Sequence, residues 1–116
     1  MLFDFTIAEH PNYVILSLQG ELIEKNQAAG LLAKVEELIE NNKSKIAINL
    51  ANLKYMNSSG LNTLIMLLTK ARNTGGDTVI YNMNKKINEL LLVTKLNTLF
   101  KVVDSEEQAL KMLGSN

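Results

Sequence analysis

Two kinds of apolar pattern alternate along the chain. Five short runs have the patterns of strands: they are rich in apolar and β-branched residues, or apolar residues alternate with polar ones. These runs cover residues 2–8, 13–19, 46–50, 78–81 and 99–103. Four other stretches have the periodicity or the end signals of helices, over about residues 27–41, 57–74, 87–94 and 105–113, with Asp104 or Ser105 as the cap of the last one.

These elements follow the order β-β-α-β-α-β-α-β-α. The gap at Pro11 is short, so the first two strands are expected to form an antiparallel hairpin. The later strands alternate with helices, which requires crossover connections and parallel pairing. The expected fold is therefore α/β with a mixed sheet, and 116 residues fit a single domain spanning 1–116.

The amino-acid composition argues against several classes of function. The 12 basic and 12 acidic residues leave no net charge, whereas nucleic-acid binders concentrate basic residues. The chain has no cysteine, and His10 is its one histidine, so no metal site or catalytic triad is predicted. No apolar run approaches the roughly 20 residues that span a bilayer, and the first residues lack a basic leader. The expected location is the cytoplasm, without membrane insertion.

The stretch YMNSSGL, residues 55–61, marks the start of the second helix. With Asn57 as the N-cap, Met56 and Leu61 occupy the two positions of a hydrophobic staple. A cap at Ser58 would instead pair two asparagines. Ser58 is therefore placed at N1, with its hydroxyl free to face outward.

At about 100° per residue, the helix divides into faces. The predicted core stripe is Leu61, Leu64, Ile65 and Leu68. Ser58, Asn62 and Met66 follow one flank, where Met66 is either adaptable interface surface or merely an exposed side chain. Gly60 serves either a tight turn or the close approach of another group to the backbone.

The residues around Ser58 do not match the motifs of known catalytic sites. A nucleophile elbow needs glycine two residues before the serine, where this chain has Met56, and phosphate-binding glycine motifs are missing. No catalytic residue and no cofactor site is predicted. A phosphate on Ser58 would lie at a helix N-terminus, which tolerates negative charge, while a partner packed there would be repelled. The plain alternative is that both serines simply begin a helix.

The chain resembles the STAS domain, and specifically the small single-domain anti-sigma factor antagonists of bacteria. The resemblance covers essentially the whole chain, and it is carried by GEL at 20–22, INLANLKYMNSSGLNTL at 48–64, the glycine pair at 75–76, and LFKVV with SEEQAL near the end. It implies a STAS-like mixed sheet with helices packed mainly on one side.

The resemblance also implies a function. Such antagonists bind an anti-sigma factor that is a serine kinase and thereby release a sigma factor; the kinase phosphorylates the serine that matches Ser58, and a serine phosphatase restores it. The implied partner-binding residues are Asn57, Ser58, Ser59, Gly60, Asn62, Met66 and Glu21. This chain departs from the family pattern with Asn57 where Asp is common, Ile23 after GEL, and Thr98 before LF.

Two other functions remain open. One is a constitutive, unphosphorylated STAS module in a larger signalling or lipid-transport assembly, suggested by Asn57 and Met66. The other is a small-ligand sensor or cryptic enzyme, for which the sequence offers neither a phosphate loop nor a catalytic base.

Overall fold

The computed structural model of the protein describes residues 2–114, and its strands and helices follow the predicted order. The strands are β1 Phe3–Glu9, β2 Val14–Leu22, β3 Lys45–Met56, β4 Asp77–Tyr81 and β5 Lys101–Val103. The helices are α1 Ala29–Glu40, α2 Ser58–Asn73, α3 Lys85–Val93 and α4 Glu106–Met112. Short 3-10 turns at Lys25–Ala28 and Leu96–Thr98 precede α1 and β5.

The strands form one sheet in the order β1-β2-β3-β4-β5. β1 and β2 pair antiparallel, with Phe3 opposite Gly20 and Glu9 opposite Val14, so the predicted hairpin is confirmed. Each later pairing is parallel. The carboxyl ends of β2 and β3 therefore meet at one edge of the sheet, where Leu22 is opposite Met56.

Three strand boundaries predicted from the sequence are wrong. β2 continues past Gln19 to Leu22, because Gly20, Glu21 and Leu22 still pair with β3. β3 continues past Leu50 to Met56, because its second half pairs with β2 after a register shift. Polar residues such as Asn52 and Lys54 hide this extension, since that half of the strand is mostly exposed and has no alternating pattern. β5 begins only at Lys101, because the residues before it form the turn Leu96–Thr98.

Helices α1, α2 and α3 cover one face of the sheet and enclose the main core, which includes Leu16, Leu31, Ile48, Leu64 and Leu91. α4 packs alone on the opposite face, where Ala109 and Leu113 contact Ala47 and Val79. The expected arrangement of helices mainly on one side is thus confirmed. Across residues 2–114, no helix is long and apolar enough to cross a membrane.

Tyr81 links α4 to the sheet. Its ring is buried, and its hydroxyl donates a hydrogen bond to Oε1 of Glu106 at 3.1 Å. Burial, and then the neighbouring Glu106 carboxylate, raise the pKa of Tyr81 well above its ordinary value of 10.0. The hydroxyl therefore stays protonated and holds the first turn of α4 against β4.

Candidate functional site

Asn57 caps α2, as predicted. Its backbone is extended, and its side-chain Oδ1 accepts a hydrogen bond from the Gly60 N–H at 3.1 Å. Met56 and Leu61 are both buried in the main core, as the two members of a hydrophobic staple should be. Ser58 is therefore at N1, the position predicted for it.

Asn57 also binds a second segment of the chain. Its Nδ2 donates to the carbonyl oxygen of Ile23 at 3.0 Å. Gln27 holds the same segment from the other side: its Oε1 accepts from the N–H groups of Ile23 and Glu24, each at 2.9 Å, and its Nε2 donates to the Glu21 carbonyl at 3.1 Å. We call residues 21–24 together with residues 57–60 the serine corner.

The two serines of the corner differ in exposure. Ser58 is exposed, and within residues 2–114 its hydroxyl makes no hydrogen bond, whereas Ser59 is half-buried. The N–H groups of the first helical residues have no acceptor one turn earlier in the helix. Ser58 thus combines an accessible hydroxyl with the positive end of the α2 dipole.

Gly60 is buried because the end of β2 passes directly over it. A Cβ at Gly60 would lie 2.2 Å from the carbonyl oxygen of Leu22 and 2.9 Å from the Cβ of Met56. The group that approaches the backbone is therefore the protein's own strand. Gly60 lets β2 and α2 come together and so shapes the serine corner from beneath.

The flank of α2 continues away from Ser58. Asn62 is exposed, and its Nδ2 lies 4.0 Å from the sulfur of Met66, which is half-buried. Glu21 is half-buried on β2, with Tyr55 of β3 opposite it. Glu21 belongs to the serine corner, and Asn62 and Met66 follow it along α2; their part in binding a partner stays a prediction.

The predicted core stripe of α2 is partly wrong. Leu61, Leu64 and Leu68 are buried, but Ile65 is only half-buried, and the fully buried Leu67 was not included. The reason is that α2 packs against α1 as well as against β3 and β4, so its buried face is wider than one stripe.

Groups suited to catalysis lie elsewhere. His10 stacks on Tyr13 with ring centroids 4.5 Å apart, in the turn that precedes β2. Since β2 and β3 run parallel, this turn lies at the edge of the sheet opposite the serine corner. Among the described residues, no group of three or more His, Asp or Glu could hold a metal ion.

An open cleft of about 680 Å³ lies beyond the carboxyl ends of β4 and β5. Its polar lining comes from Asn82, Asn88 and Asp104. Asn82 has a left-handed backbone, with φ of 60°, and its Nδ2 donates to Oδ1 of Asn49 at 3.2 Å. The described residues that line the cleft provide neither a phosphate loop nor a cluster of cations.

Known proteins with this fold include anti-sigma factor antagonists. The anti-sigma F factor antagonist of Paenibacillus polymyxa is 25% identical over 114 residues, which cover 97% of each chain. The unphosphorylated form of the anti-sigma factor antagonist SpoIIAA has a TM-score of 0.81 at 20% identity, over 97% of this chain and 98% of that one. The phosphorylated form of SpoIIAA from Bacillus has a TM-score of 0.72 at 21% identity, over 94% and 98%. The family model of the STAS domain matches residues 4–109, and the chain belongs to the STAS family.

Proposed function

We propose that this protein is an anti-sigma factor antagonist. In its unmodified form it binds a kinase-type anti-sigma factor and so frees a sigma factor. Phosphorylation of Ser58 by that kinase switches the binding off, and a serine phosphatase restores it. The protein itself acts by binding and performs no chemistry.

The observation that carries this proposal is the accessibility of the Ser58 hydroxyl. The hydroxyl is exposed at N1 of α2 and free of hydrogen bonds within the described residues, because Asn57 does the capping. A serine that capped the helix would need its oxygen for the backbone, and its modification would damage the fold. Ser58 can be modified without that loss.

A phosphate at Ser58 would affect the fold and the partner in opposite ways. The dipole of α2 and the unpaired N–H groups of its first turn favour negative charge at this point. A partner packed on the serine corner would instead meet between one and two added charges and a bulky group. The modification therefore acts on binding and leaves the stability of the protein nearly unchanged.

The known relatives support this reading. The Paenibacillus relative, which matches almost end to end, is an anti-sigma F factor antagonist. SpoIIAA, which shares the fold, is known in an unphosphorylated and a phosphorylated form. The residues around Ser58 would form the contact: Asn57, Ser59, Gly60, Asn62, Met66 and Glu21.

The binding experiment uses the purified anti-sigma factor of the same organism, without ATP. Ser58→Ala should bind like the wild type, and Ser58→Asp should lose at least about a hundredfold in affinity, since a buried uncompensated charge costs several kcal/mol. Thr69→Asp is the matched control, because it adds the same charge to an exposed residue about 16 Å further along α2. Equal affinities for wild type and Ser58→Asp would overturn the proposal.

A second experiment measures the intact mass of the protein isolated from its own cells during growth and stress, with and without phosphatase treatment. A phosphate on Ser58 whose level changes between conditions supports the switch. Stable co-purification with a partner and no phosphate in any condition would support the constitutive STAS module instead, for which the uncharged Asn57 beside Ser58 is the favouring feature.

A further inference from the structure

A second surface lies next to the serine corner, between the end of β3 and α3. A concavity of about 370 Å³ is lined by Tyr55, Met56, Lys86, Glu89, Leu90 and Val93, and we call it the α3 groove. Met56 directly precedes the cap Asn57, so the α3 groove and the serine corner are continuous along the chain.

The apolar part of the α3 groove is unusually open to solvent. Val93 is 80% exposed and Tyr55 is 44% exposed, while Leu90, which also lines the groove, is half-buried. Large apolar side chains grouped in a concavity, rather than scattered singly, are typical of a surface that another molecule covers.

Positive charge borders these apolar side chains. Lys54, Lys85 and Lys86 line an adjoining concavity, and Lys86 belongs to both. All three lysines are exposed, and in the described part of the chain none of them forms an ion pair. Glu89 is the acid that lines the groove, so the local balance is positive although the whole chain is neutral.

The position of two of these lysines is unfavourable for the helix. Asn84 caps α3, so Lys85 and Lys86 occupy its first two positions, where the helix dipole disfavours cations. Residues that break a local stability rule without a visible gain within the fold are often functional. An acidic partner would give these charges a function.

Asn84 also makes the surface rigid. Its Oδ1 accepts from the Ile87 N–H at 2.9 Å, and its Nδ2 donates to the carbonyl oxygens of Leu53 and Lys54, each at 3.1 Å. The first turn of α3 is thereby fastened to the end of β3. A partner would meet a preformed groove and lose little free energy in ordering it.

We propose that the α3 groove, with Lys54 and Lys85 at its border, docks an acidic amphipathic segment of the anti-sigma factor. The apolar side chains of that segment would cover Tyr55 and Val93, and its carboxylates would pair with the lysines. The inference rests on the proposed function and adds a second contact to it, one that phosphorylation of Ser58 does not touch directly.

The test measures affinity for the purified anti-sigma factor, without ATP, at low and at high salt. Lys86→Glu should weaken binding about tenfold at low salt and flatten its salt dependence, because the attraction to the acidic segment is lost. Lys45→Glu is the matched control: it makes the same charge change at an exposed lysine at the opposite end of β3 and should bind like the wild type.

The apolar contact has its own pair of variants. Val93→Ser should weaken binding about tenfold, whereas Leu92→Ser, an exposed neighbour on α3 that does not line the groove, should leave affinity unchanged. Both side chains are exposed, so neither change should unfold the protein.

Three results that differ from these expectations would overturn the inference, each for a different reason. Wild-type affinity in Lys86→Glu and Val93→Ser, together with loss in Ser58→Asp, rejects the groove and keeps the proposed function. Failure of the wild-type protein to bind the anti-sigma factor rejects both. Self-association of the wild type that Val93→Ser abolishes, measured by sedimentation, would assign the groove to a second copy of this chain.

Discussion

The side-chain amide of Asn57 donates a hydrogen bond to the carbonyl oxygen of Ile23 at 3.0 Å, across 34 positions of the chain. The other end of the same amide caps α2 by accepting from the Gly60 N–H. One side chain therefore joins the segment after β2 to the helix that carries Ser58. Aspartate could make the second bond but not the first, because a carboxylate has no hydrogen to donate.

Asn57→Ala should lower the free energy of unfolding by about 2 kcal/mol, since both the cap and the bond to Ile23 are lost. Asn57→Asp should lower it by about 1 kcal/mol, because the cap remains while a carboxylate oxygen faces the Ile23 carbonyl. Urea unfolding measures both. Asn26→Asp is the control, an exposed residue whose side chain makes no hydrogen bond in residues 2–114. A fully stable Asn57→Asp variant would show that the Ile23 bond contributes nothing.

Gly60→Ala should destabilise the protein by about 3 kcal/mol, because the added methyl group would overlap the Leu22 carbonyl oxygen, and both the strand and the helix would have to move. Gly30 offers the opposite case. It lies in α1 with open space around it, so Gly30→Ala should stabilise by about 0.5–1 kcal/mol through helix propensity. Thermal unfolding of the two variants should shift in opposite directions, and shifts of the same sign would contradict the prediction.

Thr78→Val should raise the free energy of unfolding by about 1 kcal/mol. The Thr78 hydroxyl is fully buried in β4 and has no hydrogen-bond partner among residues 2–114, so the folded state bears the cost of desolvating it. Thr63→Val is the comparison, because that buried hydroxyl donates to the Ser59 carbonyl at 3.4 Å. Thr63→Val should not stabilise. An equal gain in both variants would show that the missing partner is irrelevant.

Asp77 should make the stability of the protein fall in acid. Partial burial raises the pKa of this carboxyl, but hydrogen bonds from Lys101, the Thr78 N–H and Arg72 outweigh burial and lower it below its ordinary value of 3.8. The folded state then binds the proton more weakly than the unfolded chain. The stabilisation is complete only well above pH 3.8, and it is lost progressively as the pH falls past that value and through the lower folded pKa.

Asp77→Asn should therefore flatten the dependence of unfolding free energy on pH below about 5, measured by urea titration at several pH values. Asp4→Asn is the control, since Asp4 is exposed and forms no ion pair in the described part of the chain. If Asp4→Asn flattens the curve as much as Asp77→Asn, the ion pairs of Asp77 are not its cause.

The features that the sequence predicted correctly depend on short-range patterns. The cap at Asn57 follows from the spacing of Met56 and Leu61, and the element order follows from apolar periodicity and turn residues. The features that it did not reveal depend on distant neighbours. Pairing with β2 extends β3 to Met56, and Leu67 is buried in a helix that packs against α1, β3 and β4 together.

The hydrogen bonds that hold the serine corner together could not be predicted from the sequence either. Gln27 reads from the sequence as the start of a helix, yet in the structure its side chain holds the backbone of residues 21–24. Polar residues bonded to the backbone leave no periodic signal. Glutamine shortly after an acidic residue at a turn is a weak indication of such a contact, since it can complete a capping box, as Gln27 does with Glu24.

The order of strands in the sheet repeats their order in the chain. During synthesis on the ribosome, each new strand can therefore pair with a neighbour that has already emerged, and no strand has to insert between two others. Contacts between successive elements also favour rapid folding. All residues of the serine corner lie in or before the first turn of α2, so they leave the ribosome before the sequence of β4, α3 and β5 does.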